Sequence, residues 1–274
     1  MNRKILSLIA LSTCLSFSQA ECGIVENLIN KIWQKEQKAP ETIKLLIVHD
    51  KPGVILEVKG KYKIYDPHTD SFIATRFLGK RKFIQAMNDS LRWGEEFPGV
   101  HQLKIIPDDV STTTLVDGIE YKGALYVYDI GGTISVVNEL PLDDYLKIAL
   151  NSTYGSGLPE EAAAAITIAA RTNAWHLVKN PKSDYFAVDA AKVGYRGHAA
   201  GERKQGMDLA IAETKNMILT KDGQPLLNDW NRGGTGQASL LSLEEVSQLA
   251  RKGDHAAQIL NKAYPGSKVS LITD

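Results

Sequence analysis

The stretch from Pro159 to about Val178 does most to limit the folds open to this chain. Pro159-Glu160-Glu161 opens it as a helix, with proline where its missing N–H costs nothing and acids where the helix dipole favours them. Ala162–Ala165 and Ala169–Ala170 follow, and side chains that small imply neighbours packed close against the helix. Arg171 sits late in this otherwise apolar run, between Ala170 and Thr172. A charge there is costly unless it is paired or reaches an open groove. Two readings stand side by side: an ion pair at a helix end, or a cation lining a binding groove.

The N-terminus reads as an export signal. Asn2-Arg3-Lys4 gives a positive tip, Ile5 to Leu15 is almost unbroken apolar sequence, and Ser18-Gln19-Ala20 supplies a small-x-small cleavage pattern. The run is shorter than the ~20 residues a membrane-spanning helix needs. Leu11-Ser12-Thr13 before Cys14 gives a lipoprotein reading, ranked second because Thr is a poor residue there. Cleavage after Ala20 removes two of the 32 basic residues and none of the 32 acidic ones, leaving a net charge of −2 with His neutral. That balance supplies no field for nucleic acid or an anionic membrane, while neutral sugars remain open as ligands. It also leaves Cys22 alone, so no internal disulfide forms and the fold rests on its core. The expected location is extracytoplasmic, in the periplasm or cell envelope.

Glu21 to Lys38 carries Ile24, Val25, Leu28, Ile29, Ile32 and Trp33 at helical spacing, and Ala39-Pro40 ends it. Short β-rich runs follow at Ile43–Val48, Val54–Val58, Tyr62–Tyr65, Leu103–Ile106, Tyr121–Tyr128 and Ile134–Val137. Gly131-Gly132 reads as a hairpin turn, and Phe83 to Leu91 as a helix within this half. After Pro141 the pattern turns helical: Leu142–Leu150, Pro159 to Val178, Arg203–Met217, Leu243–Arg251 and His255–Ala263, with a short hairpin at Ile218-Leu219 and Gly223. The class is α+β, a mixed β-rich N-terminal half packed with a helical C-terminal half. The expected organisation is a signal peptide over 1–20, an N-terminal helix over 21–40 and one domain over 41–274.

The six histidines form no metal-binding pair, and two cysteines cannot build a zinc knuckle. No metal and no cofactor is expected. No G-x-S-x-G elbow or P-loop is present either. Carboxylates remain: Glu139, Asp143, Asp144, Glu160, Glu161, Asp189 and Glu202. Each has a plain structural use at a helix start or on the surface, and glycosidic cleavage would need one of them held protonated by burial. Gly194-Tyr195-Arg196-Gly197 presents an aromatic ring and a cation on one turn, suited to stacking on a sugar, though an ordinary surface loop reads the same way. Trp230, in Asn228-Asp229-Trp230-Asn231, offers similar chemistry, and a core position is its alternative.

From Tyr121-Lys122-Gly123 onward the sequence resembles the SpoIID/LytB family, the stage II sporulation protein D and amidase-enhancer group. The carrying motifs are Val136-Val137-Asn138-Glu139-Leu140-Pro141-Leu142-Asp143-Asp144-Tyr145-Leu146, Ile168-Ala169-Ala170-Arg171-Thr172-Asn173-Ala174, Gly194-Tyr195-Arg196-Gly197 and Ala212-Glu213-Thr214 with Ile218-Leu219. Leu249-Ala250-Arg251-Lys252-Gly253, Ile259-Leu260 and Tyr264-Pro265-Gly266 close the series, which runs from about Ile43 to Leu271. The resemblance implies action on peptidoglycan glycan strands, as a lytic transglycosylase of denuded glycan or as a helper of cell-wall amidases. The lytic members use one glutamate as the acid, and Thr153 stands at that position. Gln237 stands where the family's glycine-rich segment carries histidine.

The catalytic residue is therefore open, with Glu139 and Glu160 as surrogate acids. Arg171, Tyr195, Arg196 and Trp230 are the candidate substrate contacts. An enzyme with a displaced acid is the first reading. The alternative is a non-catalytic module that grips glycan or enhances an amidase, and a structural envelope protein is the third. Glycan strands are the expected partner, joined in the amidase-enhancing reading by a cell-wall amidase.

Overall fold

The computed structural model describes residues 41–272 except 78, 80, 155–156, 200–205 and 231–235. The signal peptide, the helix expected over 21–40 and Cys22 lie outside the described residues. In the β-rich half, strands β1 (Thr42–Lys51), β2 (Gly53–Lys59), β3 (Tyr62–Asp66) and β4 (Ser71–Arg76) come first. They are followed by β5 (Lys82–Met87), β6 (Ser90–Trp93), β7 (Glu95–Pro98) and β8 (Gln102–Pro107). Then come β9 (Thr113–Val116), β10 (Ile119–Tyr121), β11 (Ala124–Ile130) and β12 (Thr133–Pro141). Helices α1 (Leu142–Thr153) and α2 (Glu160–Lys179) are followed by β13 (Val188–Asp189) and α3 (Asp208–Glu213). The chain continues through β14 (Met217–Lys221), β15 (Gln224–Pro225), α4 (Leu243–Arg251), α5 (Ala256–Ala263) and β16 (Lys268–Leu271). The α+β class and the division into a β-rich first half and a helical second half are as the sequence indicates.

Three sheets result. One runs β13-β1-β12-β11-β8-β3-β4, a second β10-β9-β2-β5-β6-β7, and a third β15-β14-β16. All pairings are antiparallel except β1 with β13. Alternation builds the two large sheets: Val54, Leu56 and Val58 of β2 point into the core while Ile55 and Glu57 are half-exposed. These residues join Ile64, Ile84, Leu103, Ile105, Leu125 and Val136 in one apolar core that α1 also enters through Tyr145, Leu146 and Ile148.

Two departures from the sequence reading have local causes. The segment Phe83–Leu91 is not a helix but the β5–β6 hairpin, pairing Met87 with Ser90 around Asn88-Asp89. Ile84 and Leu91 are then both buried, on facing strands. The single run expected over Tyr121–Tyr128 is divided between two sheets. Gly123 breaks it with φ +83°, and a Cβ there would lie 2.2 Å from the Glu139 carbonyl oxygen. The expected turn at Gly131-Gly132 is present, with both residues at positive φ and Ile130 paired with Thr133.

Helix α2 is the axle of the second half. Ala163, Ile166, Ala170 and Ala174 face the main core. Ala162, Ala165, Ile168 and Ala169 face a second core with Leu219, Val246, Ile259, Leu260 and Tyr264. A helix apolar on all sides is one surrounded on all sides, and alanine lets β14, α5 and α1 approach it closely. Helix α2 follows Pro159 without a side-chain cap and carries Glu160 and Glu161 in its first turn, while α4 begins with a complete Ser242/Glu245 capping box.

Candidate functional site

Helix α1 ends at Thr153, whose side chain is exposed and donates to the Ala149 carbonyl one turn back at 2.9 Å. Tyr154 follows and its hydroxyl donates to the Trp230 carbonyl at 2.7 Å. Trp230 is half-buried and meets the Tyr264 ring edge-on, with centroids 5.2 Å apart. The Tyr264 hydroxyl in turn donates to Asp229 at 2.8 Å, and the same carboxylate oxygen accepts the Ser239 N–H at 3.0 Å. Burial and Asp229 both hold the Tyr264 phenol well above its usual pKa, so the hydroxyl stays a donor.

Two asparagines fix this aromatic pair to α2. Asn173 receives the Asn228 N–H at 3.0 Å and donates to the Asn228 carbonyl at 2.9 Å. The Asn228 amide donates to the Ala169 carbonyl at 2.9 Å. Asn228 also forms a parallel bridge with Gln237. The link runs from Thr153 through Tyr154, Trp230 and Asn228 to Gln237. Sequence reasoning singled out Trp230 here but missed Tyr154, Asn173 and Asn228. The signal was present, since a polar residue late in an apolar helix needs a buried partner.

The other expected contacts are placed elsewhere. Arg171 is 1% exposed and reaches no groove. Its guanidinium donates to the Thr214 carbonyl (2.7 Å), the Thr214 hydroxyl (2.9 Å) and the Ile211 carbonyl (2.9 Å), all at the C-terminal end of α3. It also pairs with Asp143 in the first turn of α1 at 3.2 Å. A cation at a helix C-terminus satisfies orphan carbonyls and opposes the dipole. The helix-end ion pair is therefore the arrangement found, and the groove role is not. Burial pulls the guanidinium pKa down while Asp143 opposes that shift.

Tyr195 is likewise buried, its hydroxyl donating to Asn138 at 2.6 Å and its ring against Tyr121 and Tyr145. It presents no face to a sugar. Arg196, beside it, is exposed. Tyr145 and Thr153 lie eight residues apart on α1, about 12 Å at 1.5 Å per residue. The Tyr195–Arg196 turn is thus anchored well away from the Thr153 end.

The two surrogate carboxylates also separate. Glu139 accepts from the Tyr126 hydroxyl at 2.6 Å and the Thr42 hydroxyl at 2.7 Å, one on each oxygen. Both of its oxygens are thus engaged by hydroxyls of neighbouring strands. It precedes α1, whose 12 residues span about 18 Å before Thr153 is reached. Glu160 is different: it starts α2 at the same α1–α2 connection, exposed, whereas its neighbour Glu161 is held by His255 and the Ala256 N–H. Among the described residues no group of His, Cys, Asp and Glu could hold a metal ion.

Residues 130–220 match the family described as Stage II sporulation protein, SpoIID. An uncharacterized protein of Chlamydia pneumoniae is 32% identical over 254 residues, covering 91% of this chain and 89% of that one. An uncharacterized protein of Chlamydia muridarum is 30% identical, covering 84% and 77% respectively. The chain belongs to the SpoIID family. A cell-wall-related function goes with that membership. A Brachyspira hyodysenteriae protein, also uncharacterized, is 32% identical over 148 residues, which cover 54% of this chain and 39% of that protein. No solved structure matches. The matched SpoIID segment contains α1, α2, α3 and the scaffold residues Arg171, Thr172 and Asn173. Trp230 and the rest of residues 228–239 lie outside it.

Proposed function

We propose that this protein is exported and binds the glycan strands of peptidoglycan without cleaving them, at the α1–α2 end where Thr153, Tyr154 and Trp230 meet. The observation that carries the reading is the exposed Thr153 hydroxyl at the family's acid position, tied back to Ala149 at 2.9 Å. A hydroxyl cannot protonate a leaving glycosidic oxygen as a carboxylic acid does, and loss of a positioned acid costs about 10²–10⁴-fold in rate. Support for a glycan ligand comes from family membership and from a half-buried tryptophan presented on a loop. Support for export comes from the N-terminal pattern of a positive tip, an apolar run and Ser18-Gln19-Ala20. Among the described residues no helix is long and apolar enough to cross a membrane. An amidase is the natural protein partner of a module that grips glycan without turnover.

Glu160 favours a second reading, a lytic transglycosylase with a displaced acid, because its carboxylate belongs to the same α1–α2 connection as Thr153. Incubation with glycan strands stripped of stem peptides separates the two. Co-sedimentation without 1,6-anhydro ends is the expected result. Anhydro ends that disappear in Glu160→Gln would establish the enzyme, and absence of co-sedimentation would refute both. In the binding reading, Thr153→Glu restores an acid in a preserved cleft, and anhydro ends appear where the parent gives none.

A further inference from the structure

A cavity of about 350 Å³ opens in the β-rich half, outside residues 130–220 and remote in sequence from Thr153 and Trp230. Tyr62 and Ile64 of β3, Arg76 of β4, Gly79, Lys82 of β5, Trp93 of β6, Gly94, and Glu95 and Phe97 of β7 line it. The volume lies at the lower end of small-ligand clefts, about 300–1,000 Å³, and equals roughly a dozen waters. Its aromatic side chains are fixed: Tyr62, Trp93 and Phe97 are at most 7% exposed, and the Tyr62 and Trp93 ring centroids are 5.9 Å apart. These rings are cemented into the core of both large sheets, so the apolar wall is preformed.

The polar groups are unevenly satisfied. Arg76 is paired with Glu95, so those two charges cancel at the rim. Lys82 has no ion pair among the described residues, and its aliphatic stem and ammonium lie against Gly94. A Cβ on Gly94 would come within 2.6 Å of the Lys82 Nζ. The Trp93 Nε1–H is buried without an acceptor. A buried donor without an acceptor costs about 1–3 kcal/mol. Tyr62 has no hydrogen bond through its hydroxyl among the described residues, and burial raises its pKa so that it stays protonated. Among the described residues the Trp93 Nε1–H and the Tyr62 hydroxyl are thus unused donors of lining residues, Glu95 is taken up by Arg76, and Lys82 is the one lining charge without an opposite partner.

We propose that this cavity binds a carboxylated pyranose, with the ring against Tyr62, Trp93 and Phe97 and the carboxylate on Lys82. A flat-faced ring bearing hydroxyl acceptors answers the aromatic wall and the Trp93 and Tyr62 donors. A carboxylate answers Lys82, and a neutral sugar of the same ring leaves that charge unmatched. A nucleotide or other polyanion would need more cations than the one uncancelled ammonium. The site is independent of the glycan reading given above, since none of its residues belongs to the α1–α2 end.

The test is titration of the full mature chain, by calorimetry and ligand-observed NMR, with glucuronic acid and N-acetylmuramic acid against glucose and N-acetylglucosamine. Saturable binding of either acid, at least 10-fold tighter than its neutral counterpart, is expected. Lys82→Gln, on an exposed side chain, abolishes that preference, a loss of about 10-fold or more. Trp93→Phe keeps an aromatic face, removes the donor and weakens binding several-fold under conditions where the variant is folded by circular dichroism. No saturation by either acid up to tens of millimolar, or an undiminished preference in Lys82→Gln, overturns the proposal. Glucuronic acid, which glycan strands do not contain, reads this cavity alone, so failure of one site is distinguishable from failure of the other.

Discussion

Replacing Arg171 by methionine keeps most of the side-chain volume and removes the guanidinium from a site where it is 1% exposed. Three acceptors then lose their donor: the carbonyls of Ile211 and Thr214 and the Thr214 hydroxyl. The hydroxyl has a second partner in the Ala210 carbonyl and the Thr214 carbonyl keeps the Met217 N–H at 3.0 Å, so the Ile211 carbonyl decides the cost. At about 1–3 kcal/mol for one unsatisfied buried group, roughly 1–3 kcal/mol of stability is lost. The ion pair with Asp143 adds little, because that carboxylate is 37% exposed and solvent screens it. Asp143→Asn therefore costs about 1 kcal/mol or less, and the pair of variants separates hydrogen bonding from charge. With a urea m-value of about 2 kcal/mol/M, Arg171→Met lowers the midpoint by roughly 0.5–1.5 M and Asp143→Asn by about 0.5 M at most. Circular dichroism in urea reads both, and co-sedimentation with glycan strands below the transition reads binding. A parental midpoint in Arg171→Met together with lost glycan binding would refute the scaffold role and return Arg171 to a groove.

Asn228→Ala removes the amide that meets the Ala169 carbonyl and the acceptor facing Asn173 and Trp230. It lowers stability by about 2–3 kcal/mol and weakens glycan co-sedimentation through Trp230, while a thermal shift without any loss of binding would detach the loop from the site. The Glu161 carboxyl is held below its ordinary pKa by the His255 side chain and the Ala256 N–H. A depressed folded pKa contributes stability above the unfolded value of about 4.5 that is lost as pH falls through the folded one. Glu161→Gln is thus less stable than the parent at pH 7, and the gap between their thermal midpoints closes below pH 4. Burial pushes the Tyr121 phenol up to about 12, and Tyr126, Tyr128, Tyr195 and Tyr264 rise in the same direction. Groups raised in the folded state stabilise it below the unfolded pKa of about 10 and lose that contribution as pH climbs toward the folded values. The share of the 295 nm absorbance that belongs to these five of the ten tyrosines should rise only with alkaline unfolding, and a graded rise accounting for all ten in intact protein would contradict the burial.

Local signals carried the helical half well. Pro141 and Pro159 immediately precede α1 and α2, and the Ser242 capping box opens α4 where the periodicity began. The β-rich half was legible as strands but not as sheets, because a run of four to eight apolar residues does not say which neighbour it pairs with. Phe83–Leu91 shows the ambiguity: Phe83, Ile84, Met87 and Leu91 fit a helical stripe. A hairpin around Asn88-Asp89 instead buries Ile84 and Leu91 from facing strands. Arg171 and Tyr195 were legible as unusual and not as scaffold. The partners that settle them, Thr214 and Asn138, lie 43 and 57 residues away in sequence. The cavity at Trp93 was invisible for the same reason, since its walls come from β3 through β7.

The Ala169-Ala170-Arg171-Thr172-Asn173-Ala174 motif can be understood from what its polar residues hold. Arg171 closes the end of α3, Thr172 accepts the Leu219 N–H of β14 at 2.7 Å, and Asn173 fixes the loop at Asn228. Consecutive residues on a helix point about 100° apart, so one turn of α2 ties down three separate elements while the alanines let them come close. Such a motif answers to the fold and has no direct need of a substrate. The motif can therefore stand whatever residue occupies position 153, because Thr153 is exposed and carries none of these ties. Resemblance through this motif accordingly speaks to scaffold, and the chemistry must be decided at the exposed end of α1.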